Sequence, residues 1–292
     1  MLWFRKRPEA TAVERDLIEP AKLEVEFDTA LFRSHLNALI EAAQADGGVE
    51  AYLESLDAKH RLFAEALDEA ALDRLDEAGL DALLEVVFTA RRKLHPVLAE
   101  LGHPHAVAAL RELLYGGAPL AGRVAAFVAA LPIRTGEGRE ARSRAARLTR
   151  AAHDFAAECL HFRDPVRYPL MTRWMWDAST MSGAAREFVR NPDQADRLPL
   201  DGRPETFEAV RGWLAGEIER QGIYRDIPLW VDLVAAGAYT HYFRSMTGGV
   251  LGSDFQRTGG PEEQVKKLLG IDGERRGGRS RVKREETVKG AA

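Results

Sequence analysis

The apolar stripe in residues 141–162 constrains the fold of this chain more than any other feature. Similar spacings recur along the chain, whereas strand-like alternation is confined to residues 23–27. A long helix with such an apolar face needs other helices to cover it. The sequence therefore predicts an all-α fold, an irregular multi-helix bundle with room for two helical subdomains. The stripe recurs at steps of three and four, the spacing of one helix face: Ala141, Ala145, Leu148, Ala152, Phe155, Cys159 and Phe162.

Glycine, proline and aspartate interrupt the helical patterns and suggest four segments. Residues 1–27 form an N-terminal arm, and Asp28 is a suitable N-cap for the helix that opens an acidic helical subdomain in residues 28–133. The stretch 131–138 contains one proline and two glycines and is the best internal boundary. A second helical subdomain, with an aromatic-rich turn, covers residues 134–272. Residues 273–292 have almost no apolar side chains, which predicts a disordered basic tail.

The apolar spacing predicts further helices. One runs over about residues 81–101, and another, in residues 227–246, is apolar almost all round, as expected of a buried central helix. A third begins at Pro169, a residue suited to the first turn of a helix, and ends near Asn191. The long helix ends before Pro165, because the residue preceding a proline is pushed out of the helical conformation. The expected arrangement is a helix, a proline corner and a second helix.

Charge is strongly segregated, although the formal net charge is only −4. Residues 41–85 hold thirteen acidic and three basic side chains, whereas residues 134–150 hold six arginines and two glutamates. The arginine cluster and the basic tail make a nucleic-acid-associated protein one alternative function. Pairing of the cluster with the acidic first half explains it as well, and no aromatic residue lies among the arginines.

Cysteine usage and hydropathy indicate the compartment. The single cysteine, Cys159, excludes an intrachain disulfide and suits a reducing environment. The basic residues 5–7 are followed by Pro8 rather than by the apolar run of a secretory signal. The most apolar segment, residues 227–243, carries Asp232 and is shorter than the roughly 20 residues needed to cross a membrane. We therefore predict a cytoplasmic protein without a membrane span.

Residues 153–177 combine aromatic, charged and sulfur-containing side chains more densely than the rest of the chain. Arginine binds anions and tryptophan stacks on flat ligands, so a corner that brings both together predicts a ligand pocket. The alternative is a packed turn in which arginine and aspartate pair with each other. The residues expected to bind a protein partner or a small anionic or aromatic ligand are His161, Arg163, Asp164, Arg167, Tyr168, Arg173, Trp174, Trp176 and Asp177.

Two short patterns suggest a metal-dependent enzyme as a further alternative. Asp154, Glu158 and His161 share a flank of the long helix, and the last two have the Glu-x-x-His spacing of di-iron bundles. The pair His153-Asp154 resembles the metal-binding pair of the HD phosphohydrolases, although that family's small residue and lysine do not follow it here. The resemblance implies a hydrolase with two more metal ligands, and the candidates are His95, His103 or His105 and Asp226 or Asp232.

No complete catalytic motif accompanies these residues, because the chain has no P-loop, no G-x-G-x-x-G and no G-x-S-x-G sequence. We therefore expect a non-enzymatic binding, adaptor or accessory protein that recognises a protein partner or a small ligand near residues 161–177. The cofactor, the ligand and the oligomeric state are left open by the sequence.

Overall fold

The structure is a computed structural model that describes residues 17–192, 198–247 and 260–272. The predicted basic tail, residues 273–292, lies outside the described residues, as do residues 1–16 of the predicted arm. Within the described ranges the chain forms ten α-helices and only isolated β-bridges, so the predicted all-α fold is confirmed. The helices are α1 (Thr29–Ala43), α2 (Val49–Ala66), α3 (Glu77–Glu85), α4 (Arg91–Leu101), α5 (His103–Tyr115), α6 (Leu120–Ala130), α7 (Arg139–Arg163), α8 (Pro204–Arg220), α9 (Ile227–Thr247) and α10 (Pro261–Leu269).

Helix α7 is central to the packing of the earlier helices. Its first half is largely exposed, whereas in residues 151–162 every side chain except that of His153 is buried. Helices α2, α4, α5 and α6 pack against it. The predicted apolar stripe faces this core, since Phe155, Cys159 and Phe162 are buried. The polar side chains on the other faces of the same half must therefore find partners inside the protein.

Helix α9 is central to the later elements. It packs against α1, α2, α8, α10 and a 3-10 helix, Ala184–Phe188. Its side chains in residues 231–236 are buried, as its nearly uniform apolar sequence predicts. Gly237 lies against α1, where a Cβ atom would stand 3.5 Å from Cβ of Leu39. Its lack of a side chain lets the two helices approach closely.

Two predicted helices are wrong. The helix expected over residues 81–101 is two helices, α3 and α4, and the helix expected from Pro169 to near Asn191 does not form. Turns and the 3-10 helix replace it. The Asp177 carboxylate accepts hydrogen bonds from the backbone N–H and the hydroxyl of Ser179, which closes a turn. Gly183 has a φ of +133°, and a Cβ there would stand 2.7 Å from the carbonyl oxygen of Met175. Side-chain and backbone contacts therefore override the helical pattern.

The end of the predicted arm pairs with this irregular segment. Phe27 forms an isolated bridge with Val189, so the strand-like alternation of residues 23–27 yields one bridge rather than a strand. The backbone N–H of Asp28 donates to the carbonyl of Phe188 over 2.8 Å. The Asp28 carboxylate also accepts from the N–H of Ala30, at 2.7 Å, which confirms the predicted N-cap of α1.

The predicted internal boundary, residues 131–138, is the loop between α6 and α7. Helix α7 nevertheless packs against four helices that precede this loop, and the buried apolar side chains form one cluster. The division into two subdomains stays a prediction. Among the helices of the described ranges, none is both long enough and apolar enough to cross a bilayer.

Candidate functional site

The buried half of α7 carries an ion pair. Oε2 of Glu158 lies 2.7 Å from Nζ of Lys59 in α2, and both side chains are 2% exposed. Lys59 also donates to the carbonyl of Leu269 at the end of α10, at 2.6 Å, and its Nζ lies 4.0 Å from the ring centroid of Phe162. Burial raises the pKa of Glu158 to about 7, against the lowering effect of the Lys59 charge. One ammonium group thus connects α2, α7 and α10.

His161, nearly one turn further along α7, is bonded at both ring nitrogens. Nδ1 lies 2.8 Å from the carbonyl oxygen of Tyr168, and Nε2 lies 2.8 Å from Oδ2 of Asp232 in α9. A carbonyl oxygen can only accept, so Nδ1 carries a proton and donates. Nε2 then shares a second proton with the Asp232 carboxyl group, because a bare nitrogen and a carboxylate would both be acceptors. His161 therefore ties the segment after α7 to α9.

Asp154, about two turns before His161, anchors the same segment. Its Oδ1 accepts from the backbone N–H of Arg173 at 3.0 Å, and burial raises the pKa of the Asp154 carboxyl group. The side chain of Arg173 turns to Asp177, with 2.9 Å between Nε and Oδ2. Hydrogen bonds from Ser179 and Arg173 lower the pKa of Asp177 although burial opposes them. These contacts fix the path of the chain after the proline corner.

The three predicted metal ligands thus bond to three different partners. Within the described ranges no group of three His, Cys, Asp or Glu side chains is arranged to hold a metal ion. The residues that the HD resemblance implies are also separate: His95 is half exposed, 3.6 Å from Asp81, whereas Asp232 bonds to His161. The metal-dependent enzyme stays a prediction, one that these contacts do not favour.

The three aromatic side chains of the predicted ligand site lie in the interior. Tyr168, Trp174 and Trp176 are all buried in the core. Nε1 of Trp176 donates to the carbonyl of Leu200 at 3.2 Å, and the Trp174 ring centroid lies 6.2 Å from that of Tyr239. These rings pack the irregular segment against its surroundings.

Charged residues of the predicted ligand site contact groups of the protein itself. The guanidinium of Arg163 lies 4.5 Å from the ring centroid of Tyr115, and the Asp164 carboxylate accepts from the backbone N–H of Arg167 at 3.1 Å. Arg211 of α8 donates to two backbone carbonyls of the proline corner. Ligand binding by the nine predicted residues stays a prediction. A concave site that includes Met171 lies beside this segment.

A pocket of about 370 Å³ lies between α6 and α7. Helix α6 contributes one face of small and branched side chains, α7 contributes three residues at four-residue steps, and Met171 and the start of α8 complete the wall. This volume and this apolar lining are typical of small-molecule sites. The lining residues are Ala121, Val124, Ala125, Val128, Ala129, Thr149, His153, Ala157, Met171, Gly202 and Pro204.

Among the described residues that line this pocket, His153 is the one with an ionisable side chain. Its Nδ1 is buried and has no hydrogen-bond partner among the described residues. Burial lowers the pKa of His153, so the imidazole is neutral at neutral pH. A buried polar atom without a partner is uncommon in folded proteins and often marks a place where water or a ligand completes the bonding.

The sequence held a signal for this pocket that was not used in predicting the site. Ala121, Ala125 and Ala129 recur every four residues on α6. Small side chains in one row predict either a close helix contact or, as found here, a gap. Only the larger residues around the row decide between the two, because they determine the distance between the helix axes.

The arginine cluster lies on the exposed first half of α7. Arg139, Arg142, Arg144, Arg147 and Arg150 are exposed, and none of them pairs with a carboxylate within the described ranges. Arg147 donates to the hydroxyl of Ser143, and Arg134 in the preceding loop pairs with Glu100. The acidic first half therefore does not neutralise this helix, so its charge remains available to an anion.

Comparisons of the chain with known protein families, with curated proteins and with solved structures find no match. The fold and the site define an all-α protein with an apolar pocket between two helices.

Proposed function

We propose that this protein binds a small, largely apolar molecule in the pocket between α6 and α7 and acts as a non-enzymatic binding or accessory protein. The observation that carries the proposal is the pocket itself, about 370 Å³ beside the central helix of the bundle. A concave and mostly apolar site of this volume, with a few polar groups in its wall, has the usual form of a small-molecule site.

The wall chemistry supports the same function. Methyl groups and Met171 provide an apolar surface, and a methionine side chain adapts its shape to different occupants. Thr149 and His153 are the wall residues able to form side-chain hydrogen bonds. A small number of polar groups in an apolar wall can orient a ligand, and the ligand does not need to be charged. Met171 is also the residue through which the predicted 161–177 region reaches the pocket.

A location in the cytoplasm is part of this proposal. It rests on Cys159, which is buried and free, and on the absence of other cysteines from the sequence. A reducing compartment would keep such a thiol unmodified.

Fluorescence titration with N-phenyl-1-naphthylamine, a neutral apolar probe, tests the proposal. Ala125 lines the pocket and is exposed, so Ala125→Phe should fill the space and weaken probe binding at least about tenfold without disturbing the core. Ala126, the next residue, is exposed but is not part of the wall, and Ala126→Phe is the matched control that should bind as the unmodified protein does. Absence of binding to the unmodified protein, or equal binding by both variants, would overturn the proposal.

Association with nucleic acid is a second candidate, and the unpaired arginines of α7 are the observation that favours it. Binding to duplex DNA should then weaken steeply as salt rises. Arg139→Gln with Arg144→Gln should weaken it further at each salt concentration. Retention of the doubly substituted protein on a DNA column at an unchanged salt concentration would exclude a role for these arginines.

A further inference from the structure

We propose that the ligand of this pocket is an amphipathic anion, with its apolar body between α6 and α7 and its acidic head group bound by Arg142 and Arg150. The inference rests on the proposed function and names the chemistry of the molecule bound there. It requires that the two arginines lie beside the pocket, that they are free to bind an anion, and that there is room between them.

The geometry of α7 places both arginines beside the pocket. Thr149, His153 and Ala157 line it at four-residue steps. Arg142 precedes Thr149 by two turns, about 10 Å along the axis, on the same helix face. Arg150 lies three residues before His153, and its side chain leans toward the N-terminus of the helix, over the preceding turn. Arg150 therefore lies beside the end of the pocket closest to Thr149, and Arg142 lies on the same face about two turns beyond that end.

Both arginines are free to bind an anion. Arg142 and Arg150 are exposed, and neither forms an ion pair or a side-chain hydrogen bond with any residue in the part of the chain that the structure describes. A guanidinium group offers paired N–H donors that match the two oxygens of a carboxylate or a phosphate. A bound head group would supply the negative charge that the protein does not supply here.

The spacing of the two arginines along α7 leaves room for a head group between them. Arg142, Ala146 and Arg150 follow one another at four-residue steps, so a small, exposed residue separates the two guanidinium-bearing side chains. An acidic group above Ala146 can reach both arginines, while the apolar body continues over Thr149 into the pocket.

Neighbouring elements add positive charge near Arg150. Burial lowers the pKa of Lys93 in α4, and the charges of Arg150, Arg147 and Arg173 lower it further, although Asp154 opposes them. These side chains therefore lie close enough to influence one another. The nearby carboxylates are already engaged, because Asp154 accepts from the backbone of Arg173 and Asp177 pairs with its side chain. The excess of positive charge favours an anion over a neutral or cationic ligand.

Displacement of N-phenyl-1-naphthylamine by three ligands of equal chain length tests the inference. Decanoate, decyl phosphate and 1-decanol share the apolar body and differ in the head group. We expect decanoate or decyl phosphate to compete about tenfold better than 1-decanol at low salt, and the advantage to shrink at high salt. The anion that competes more strongly shows whether the head group of the ligand is a carboxylate or a phosphate monoester.

Substitutions test the contribution of the two arginines separately from that of the apolar pocket. Arg142→Gln with Arg150→Gln should abolish the advantage of the anions and leave competition by 1-decanol unchanged. Arg144→Gln is the matched control, because Arg144 is exposed and unpaired on another face of the same helix. Equal competition by 1-decanol and both anions, or a preference for anions that survives the double substitution, would overturn the inference while the proposed function stands. Failure of the probe to bind at all would instead overturn the proposed function.

Discussion

Nζ of Lys59 lies 2.7 Å from Oε2 of Glu158, and the two side chains, 99 residues apart in the chain, are both 2% exposed. The pair is buried among α2, α7 and α10, with the Lys59 ammonium also bonded to the carbonyl of Leu269. Burying two charges costs several kcal/mol per ion, and mutual attraction offsets this cost only when the remaining polar atoms are also bonded. The packing of these three helices should therefore lose stability when either partner is removed.

Removal of one partner should destabilise the protein more than removal of both. We expect Lys59→Met to lower the free energy of unfolding by about 3–5 kcal/mol, because it leaves the Glu158 carboxylate buried without a counter-charge. The double variant Lys59→Met, Glu158→Leu should recover most of that loss. Urea denaturation of the three proteins measures the effect. Additive losses in the double variant would show that the two charges are not coupled.

The Lys59–Glu158 pair should also make the stability of the protein depend on pH. The pKa of Glu158 is raised to about 7 in the folded state from an ordinary value of 4.5, so this group contributes stability that is lost as pH rises from 4.5 through 7. Without the opposing charge of Lys59, protonation of Glu158 becomes more favourable still. Lys59→Met should therefore cost less stability at pH 5 than at pH 8, which urea denaturation at the two values checks.

His35 should make the protein acid-sensitive. Burial and the nearby charge of His241 lower the pKa of His35 to about 4 in the folded state, against 6.5 when unfolded. A lowered folded-state pKa contributes stability that is present above 6.5 and is lost as pH falls toward 4, on the order of 3 kcal/mol in all. His35→Phe should flatten the pH dependence between 6.5 and 4, as measured by denaturation midpoints. An unchanged slope would show that other groups cause the acid sensitivity.

Two substitutions at Asp232 test whether its contact with His161 requires a charge or only a hydrogen bond. An asparagine at position 232 can donate to Nε2 of a neutral His161, so Asp232→Asn should change the free energy of unfolding by less than about 1 kcal/mol. Asp232→Leu leaves Nε2 buried without a partner and should cost about 1–3 kcal/mol. Thermal unfolding of both variants measures the difference. An equal, large loss in both would show that the carboxylate charge itself is needed.

Gly183 and Gly212 should respond oppositely to alanine. Gly183 has a φ of +133°, and its Cβ would stand 2.7 Å from the Met175 carbonyl oxygen, so Gly183→Ala should destabilise by more than about 1 kcal/mol. Gly212 is exposed inside α8, with no atom within 4 Å of its Cβ position, and Gly212→Ala should stabilise by about 0.5–1 kcal/mol. Chemical denaturation of the two variants provides the comparison. A stabilised Gly183→Ala protein would contradict the packing of the irregular segment.

The sequence by itself determined the class of the fold and most of its helices. Helical class is readable because the spacing of apolar residues on one face, as in Phe155, Cys159 and Phe162, is local information. Caps such as Asp28 are also local, because they act on backbone groups two residues away. The helix expected after Pro169 failed because Asp177 and Gly183 bond and pack in ways that the apolar spacing does not reveal.

The tertiary structure alone decided which polar residues meet and where space remains. Glu158 and His161 look like a metal-binding pair in sequence, yet one bonds to Lys59 and the other to Asp232. The sequence also does not show that Trp174 and Trp176 are both buried in the core. Partners far apart in the chain are brought together only by the relative positions of whole helices. The gap between α6 and α7 depends on that same packing, because no single residue sets the distance between two helix axes.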